Sequence, residues 1–327
     1  MSYLPPSVIE ILKERKLATE EAEYFLHSLE ATPAEGTGVS LIMIVYHTGN
    51  ILFDSIERVL KDPRVTEFIL IDNGSSEKVA QRLRDLAEIY RHILLVQGQG
   101  NIGFAKAANL GGHLAREPWL VFLNPDAYVR GDAIDRLIDA ARGQPSPCIV
   151  GARVLNPDLT EQRGARRGEV TPVTTVLSLS RLSRKVKSLR KFEIHLEDDD
   201  VPLAPLPVPT ISGACFAVSR RDFALLKGFD SSFFLHVEDV DLCWRAREMG
   251  GTVLFHPHAE VIHEGHTSRV EPIFVEWNKA WGLIYYFGKR ARGVWRQLYV
   301  LALAPVIIGV SLARAAFRPR LRDDEEK

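Results

Sequence analysis

From residue 39 onward the chain alternates between short apolar runs and longer amphipathic stretches. The runs at 39–46 (VSLIMIVY), 68–71, 93–96 and 119–123 are of strand length and rich in β-branched and aromatic side chains, which marks buried strands. Between them, SEKVAQRLRDLAEIYR and GFAKAANLGGHLAR repeat apolar residues at helical spacing. Strand and helix in alternation predict an α/β fold, a mainly parallel sheet with helices on both faces. Each strand ends in polar or glycine-rich residues: YHTGN, DNGSS, QGQGNIG and NPDA. In open α/β sheets ligands bind outside the carboxyl ends of the strands, so these four endings are expected to line one crevice.

The pattern changes on either side. Residues 1–37 predict a helical N-terminal extension: Ser7 and Glu10 form a capping box, Ala22, Phe25, Leu26 and Leu29 recur at helical spacing, and ATPAEGTG has the composition of a linker. The central domain is expected over 38–270. Within it, 163–209 carries a basic cluster, the acidic run EDDD and a proline series, read as a flexible insertion. Residues 271–327 predict a C-terminal helical segment. Its apolar stretch at 298–313 is sixteen residues long and contains Pro305 and Gly309, whereas a spanning helix needs about twenty. With aromatic residues and Arg290, Arg292, Arg296, Arg314, Arg318, Arg320 and Arg322 around it, it suits an interfacial helix on an anionic leaflet. A helical pair packed on the central domain, or on a second copy in a homo-oligomer, accounts for the same pattern.

Composition narrows the class. The 41 basic and 42 acidic residues leave a formal charge of -1, which argues against wholesale nucleic-acid binding and confines anion binding to local patches. Cys148, Cys215 and Cys243 are odd in number and lack metal-ligand spacing, as expected of core thiols in a reducing compartment. The first residues lack a basic-then-apolar leader, so a cytoplasmic location is expected. No G-x-G-x-x-G follows the first strand, which disfavours a dinucleotide-binding dehydrogenase.

Three segments carry candidate chemistry. In FFLHVEDVDLCWRAREMGG, Glu238, Asp239 and Asp241 open a helix, where carboxylates are favoured by the macrodipole alone. Phe233 and Phe234 beside them would instead desolvate the acids, as a general base requires. Asp126, after WLVFLNP, is either turn chemistry or a hard ligand for a divalent cation between two phosphates. His256, His258, His263 and His266 fall within eleven residues, at a spacing that fits no zinc module.

Taken in order, VYHTGN, ILIDNGSS, NIGFAKAAN, FLNPDA, SGACFAVSRRDFALLKGFDSSFFLHVEDVDLCWRAREMG and PHAEVIHEGHTS resemble the family 2 glycosyltransferases of the GT-A fold, and are most similar to their bacterial rhamnosyltransferase branch. The resemblance implies an inverting hexosyltransferase that uses Mn²⁺ or Mg²⁺ and a dTDP- or UDP-sugar donor, with L-rhamnose from dTDP-rhamnose as the first expectation. A different hexose or galactofuranose, or a catalytically silent sugar-nucleotide module, is the alternative. It sets Tyr46, Asp72, Asn101, Gly103, Asn109 and Asn124 around the nucleotide sugar and assigns Asp126 and His263 to the metal. It makes Asp239 the base and turns Gly213, Glu238 and Asp241 toward the acceptor, a saccharide or a polyprenyl-linked saccharide in cell-surface polysaccharide synthesis. Such an acceptor would bring the protein to the inner face of the cytoplasmic membrane as a peripheral protein.

Overall fold

The structure is a computed structural model that describes residues 37–180, 182–265 and 271–316. The helices expected within 1–37, together with His266, Arg318, Arg320 and Arg322, lie outside the described residues.

The four apolar runs become β1 (Val39–Val45), β2 (Val65–Asp72), β3 (Ile93–Val96) and β4 (Trp119–Leu123), paired in parallel in the order β3-β2-β1-β4. Between them lie α1 (Ile51–Leu60), α2 (Glu77–Ile89) and α3 (Phe104–Leu114). Every residue of β1 is buried, and its side chains alternate between two layers. Leu41, Met43 and Val45 meet Leu52 and Ile56 of α1 and Leu83 of α2 on one face. Ile42 and Ile44 meet Ala105 and Ala108 of α3 on the other. Each fully buried side chain of this size stabilises the fold by about 1.5 to 3 kcal/mol. α3 comes close enough to β1 that a Cβ on Gly111 would stand 2.5 Å from the Ile42 side chain. That approach offsets the roughly 1 kcal/mol that glycine costs inside a helix.

Beyond β4 the sheet becomes mixed. The chain continues through β5 (Ala127–Val129), α4 (Ala133–Ala141), β6 (Cys148–Leu155), β7 (Arg166–Arg167), α5 (Pro172–Leu179), α6 (Leu182–Lys185), β8 (Leu206–Pro207) and β9 (Thr210–Ile211). It then forms β10 (Cys215–Ser219), α7 (Arg220–Leu225), α8 (Glu238–Glu248), β11 (Thr252–His263), α9 (Pro272–Arg290) and α10 (Val294–Ala316). The sheet order extends as β4-β10-β6-β11-β5, with β8 on β11, while β7 and β9 form a separate two-stranded ribbon. β10 runs antiparallel to β4 and β6, and β6 is parallel to β11.

The segment 163–209, expected as a flexible insertion, contributes β7, which pairs with β9 just beyond it, α5 with a Thr171/Thr174 capping box, and Val170, Ile194 and Val208 to the core. The apolar C-terminal stretch is corrected in length: it is part of the 23-residue α10, which runs through Pro305 and is about 35 Å long at 1.5 Å per residue. Shortness therefore no longer argues against crossing a bilayer. α10 buries Val300, Ile307, Ser311 and Ala315, but only 22% of its most apolar window is covered by protein.

Candidate active site

Chain order places the switch point of the sheet between β1 and β4: from β1 the chain builds outward to β2 and β3, then returns to the other side of β1 as β4. A crevice is expected outside their carboxyl ends. Asn124 follows β4 directly, and its N–H donates to the Ala214 carbonyl at 2.8 Å, which brings Gly213 and the start of β10 to the same end. The end of β11 arrives there too, since His263 pairs with Ala127 and the Glu264 N–H donates to the Asp126 carbonyl at 3.1 Å.

On the β1/β2 side, Asp72 is buried and ends its strand. Its Oδ1 accepts the Gly74 N–H at 3.1 Å and its Oδ2 accepts Gln97 Nε2 at 2.8 Å, so the carboxylate is held while keeping lone pairs for a ligand. Tyr46 lies across the turn, its ring within 3.5 Å of where a Cβ on Gly74 would stand. Asn73 ties this turn to the next block by donating to the Gly103 carbonyl at 3.2 Å. Asn101 Oδ1 accepts the Gly103 N–H at 3.1 Å. Gly103 has a φ of 83°, and a Cβ there would meet the Phe234 carbonyl oxygen at 2.8 Å, so glycine is required by both conformation and space. Asn109, expected near the donor, is engaged within the fold: its Oδ1 accepts the Phe229 N–H and its Nδ2 donates to the Phe229 carbonyl, both at 2.8 Å, so the amide clamps α3 to the turn between α7 and α8.

The metal candidates meet. His263 Nε2 lies 3.0 Å from Asp126 Oδ1 and 3.2 Å from Asn124 Nδ2, while its Nδ1 lies 2.7 Å from Gln162 Oε1. Among the described residues no group of three or more His, Cys, Asp and Glu side chains could hold an ion. Two converging donors, one carboxylate and one imidazole, would suit a divalent cation that takes its remaining oxygen ligands from a bound diphosphate and water. His256 and His258 take no part: His256 Nδ1 accepts the backbone N–H groups of His258 and Ala259, and His258 reaches the Leu203 carbonyl.

The acidic segment opens α8 after two strained residues, His236 and Val237, with φ of 68° and 73°. Left-handed backbone costs a β-branched residue about 1 to 3 kcal/mol, and such positions cluster at functional sites. Asp239 Oδ2 accepts the Gly213 N–H at 3.1 Å and the Arg167 guanidinium, and Oδ1 accepts the Val240 N–H at 2.8 Å. A Cβ on Gly213 would stand 3.3 Å from that of Asp239, so a larger residue there would crowd the carboxylate. Glu238 is buried and its Oε2 has no hydrogen-bond partner among the described residues. Burial, reinforced by the charge of Asp239, pushes its carboxyl up to about 8. Asp241 is corrected: it is fully buried, pairing with Arg245 at 2.7 Å and Lys289 at 2.8 Å, so it holds α8 in place and is closed to an acceptor.

Arg167 and Gln162 escaped sequence reading because they sit in the segment 161–167, TEQRGARR less its first residue, whose only visible signal was a cluster of positive charge. The aromatic face of α9 also went unread as part of the site. Phe274 packs edge-on against Phe234, which covers Gly103, and Phe274, Trp277, Trp281 and Tyr285 remain exposed along α9.

Comparison with known proteins follows this geometry. The family model for glycosyl transferase family 2 matches residues 40–224. The chain is similar to the N-acetylglucosaminyl-diphospho-decaprenol L-rhamnosyltransferase of Mycobacterium tuberculosis, 27% identical over 226 residues that cover 65% of this chain and 71% of that enzyme. Among solved structures, the mannosyltransferase of Pyrobaculum calidifontis in complex with GDP-Man and Mn²⁺ aligns with a TM-score of 0.53 at 15% identity, over 96% of this chain and 87% of that one. GalNAc-T7 with UDP, GalNAc and Mn²⁺ aligns with a TM-score of 0.53 at 16% identity, over 69% of this chain and 43% of that one. The chain thus spans less than half of GalNAc-T7. At these identities the structural likeness speaks to the fold, which is GT-A.

Proposed function

The chain belongs to glycosyl transferase family 2, and on that footing we propose that it moves a sugar from a dTDP- or UDP-linked donor onto an acceptor hydroxyl with inversion at the anomeric carbon. The observation that carries this reading is the meeting of Asp239 and Gly213 with the Asp126–His263 pair at one end of the sheet. Tyr46 and Asp72 flank the pyrimidine, and Asp72 accepts the ring N3–H that uracil and thymine share and cytosine lacks. A divalent cation, Mn²⁺ or Mg²⁺, held by Asp126, His263 and diphosphate oxygens, would neutralise the departing diphosphate. Asp239 takes the proton of the attacking hydroxyl, and its orientation is kept by Arg167 and the Gly213 N–H. Glu238, protonated at neutral pH, is a hydrogen-bond donor for an acceptor oxygen rather than a second base. Displacement from the face opposite the leaving group needs no covalent sugar-enzyme intermediate, the geometry that inverting glycosidases also use.

The similarity to a rhamnosyltransferase makes dTDP-rhamnose the first donor to test and a saccharide on a polyprenyl diphosphate the acceptor class. The outer surface of α9 and α10 supports a membrane-borne acceptor. Ile273, Phe274, Trp277, Trp281, Trp295, Leu298 and Leu301 are exposed, Arg292 between the helices and Arg296 in the first turn of α10 are exposed cations, and the sequence of α10 contains no acidic residue. We therefore place the protein at the cytoplasmic face of a membrane, docked through this surface. The deciding experiment is a transfer assay with dTDP-rhamnose, UDP-galactose, UDP-glucose and GDP-mannose, each with and without Mn²⁺, with the product's anomeric configuration read by NMR. Retention of configuration, or no turnover with any uridine or thymidine donor, would overturn the proposal.

A further inference from the structure

Gln162 lies in the loop after β6 and touches His263 twice. Its Nε2 donates to the His263 carbonyl at 3.0 Å and to Asn156 Oδ1 at 3.2 Å, and its Oε1 stands 2.7 Å from His263 Nδ1. A backbone carbonyl can only accept, so the NH₂ end of the amide has to face it, and Oε1 is left facing the ring. Oε1 also only accepts. The hydrogen of a neutral ring must therefore sit on Nδ1, and the lone pair must sit on Nε2, 3.0 Å from Asp126 Oδ1. A lone pair opposed to a carboxylate oxygen is repulsive unless a cation lies between them.

We propose that Gln162 is a positioning residue for the nucleotide site: it locks His263 in the Nδ1–H tautomer, so that Nε2 and Asp126 face each other as a prepared pair of donors for a divalent cation. The opposite tautomer would place a proton on Nε2, and that proton would close the pair as an ordinary hydrogen bond to Asp126. Gln162 thus keeps the Nε2 lone pair of the neutral ring turned toward the cation position, the service that partners of ligating histidines commonly perform. Gln162 is itself well held. Its N–H donates to the Val154 carbonyl at 2.8 Å, and its neighbour Asn156 is fixed by Thr160 Oγ1 at 2.9 Å.

The inference rests on the metal reading above, and the test separates the two. Histidine labelled with ¹⁵N reports the tautomer of His263 in the metal-free protein at alkaline pH, its signals assigned by their loss in His263→Gln. The native protein should show Nδ1–H, Gln162→Leu should lose that preference, and Gln162→Glu, which keeps an acceptor toward Nδ1, should retain it. Calorimetry of UDP with Mn²⁺ should show about 10- to 100-fold weaker metal-dependent binding for Gln162→Leu, with at least part restored in Gln162→Glu. An Nε2–H tautomer in the native protein sinks the proposal, and so does native Mn²⁺-dependent binding in a folded Gln162→Leu. If Gln162→Leu fails to fold, the native tautomer and the Gln162→Glu variant still decide. UDP binding that ignores Mn²⁺ in the native protein removes the metal reading and leaves the tautomer measurement to judge Gln162 alone.

Discussion

Arg167 on β7 donates its guanidinium to Oδ2 of Asp239 on α8, the oxygen that also receives the Gly213 N–H. Both lone pairs of Oδ2 are thereby engaged, whereas among the described residues Oδ1 accepts only the Val240 N–H at 2.8 Å. Oδ1 is the atom of this carboxylate with capacity to take a proton.

Replacing Asp239 by Asn preserves size and the contacts of the side-chain oxygen but removes the basic site. Transfer should fall by at least about 100-fold, since general-base assistance is worth roughly 10²- to 10⁴-fold, while UDP binding stays near native. Steady-state kinetics and calorimetry on the same variant check both halves. Near-normal turnover would hand the role to Glu238.

Asp126→Ala and His263→Ala should each weaken Mn²⁺-dependent binding of UDP, and His256→Ala and His258→Ala should leave it unchanged, because the last two spend their rings on backbone groups away from the crevice. Titrations with Mn²⁺ and with EDTA give the comparison. Equal losses across all four histidine and aspartate variants would point to general destabilisation.

Asp72→Asn should weaken UDP and dTDP alike, because the proposed contact is to the N3–H common to both bases. The amide retains an oxygen for the Gly74 N–H, so the turn should survive. A loss confined to one nucleotide would show that Asp72 meets the sugar or the 5-methyl group instead.

Glu238 makes stability depend on pH in a definite direction. Its folded-state carboxyl is raised from the ordinary 4.5 to about 8, so between those values the folded chain holds a proton that the unfolded chain has released. The contribution is complete below about 4.5 and is lost as pH rises through 8. Urea midpoints measured from pH 5 to 8.5 should therefore decline in the native protein relative to Glu238→Gln. Parallel curves would mean that Glu238 is ionised in the fold.

Trp295→Glu combined with Leu301→Glu should reduce binding to anionic vesicles while leaving transfer to a soluble acceptor intact, since both side chains are exposed on α10. Raising salt should weaken the native binding as well, the screening length being about 10 Å at 0.1 M. Point changes serve better than removing α10, which would uncover the surface that Val300 and Ile307 bury. Vesicle binding that is indifferent to both changes would return this face to protein contacts.

The parallel half of the sheet was legible because fully buried strands leave unbroken apolar runs, and the strand endings followed from it. α1 was not picked out, since Ile51, Leu52 and Phe53 follow β1 so closely that the pattern blurs. Polar residues near the crevice were harder to assign. Asp241 lies within one helical turn of Asp239 and Asn109 within two turns of Gly103, and sequence spacing does not reveal that their partners are Lys289 and the Phe229 backbone. Gln162 and Arg167 had no pattern to betray them, because each works through a contact with a residue 101 or 72 positions away.

That reach along the chain has a bearing on cooperativity. Asp126 and His263 are 137 positions apart, and Asp239 and His263 both lie beyond residue 224, where the family match ends. Any ligand that engages both ends of this span can bind only when β4, β10 and β11 have already docked, so occupancy of the crevice reports on assembly of the whole sheet. Nucleotide should accordingly slow hydrogen exchange throughout β1, β4 and β11, well outside its own footprint, since a ligand specific for the folded state raises the free energy of every opening that dismantles its site.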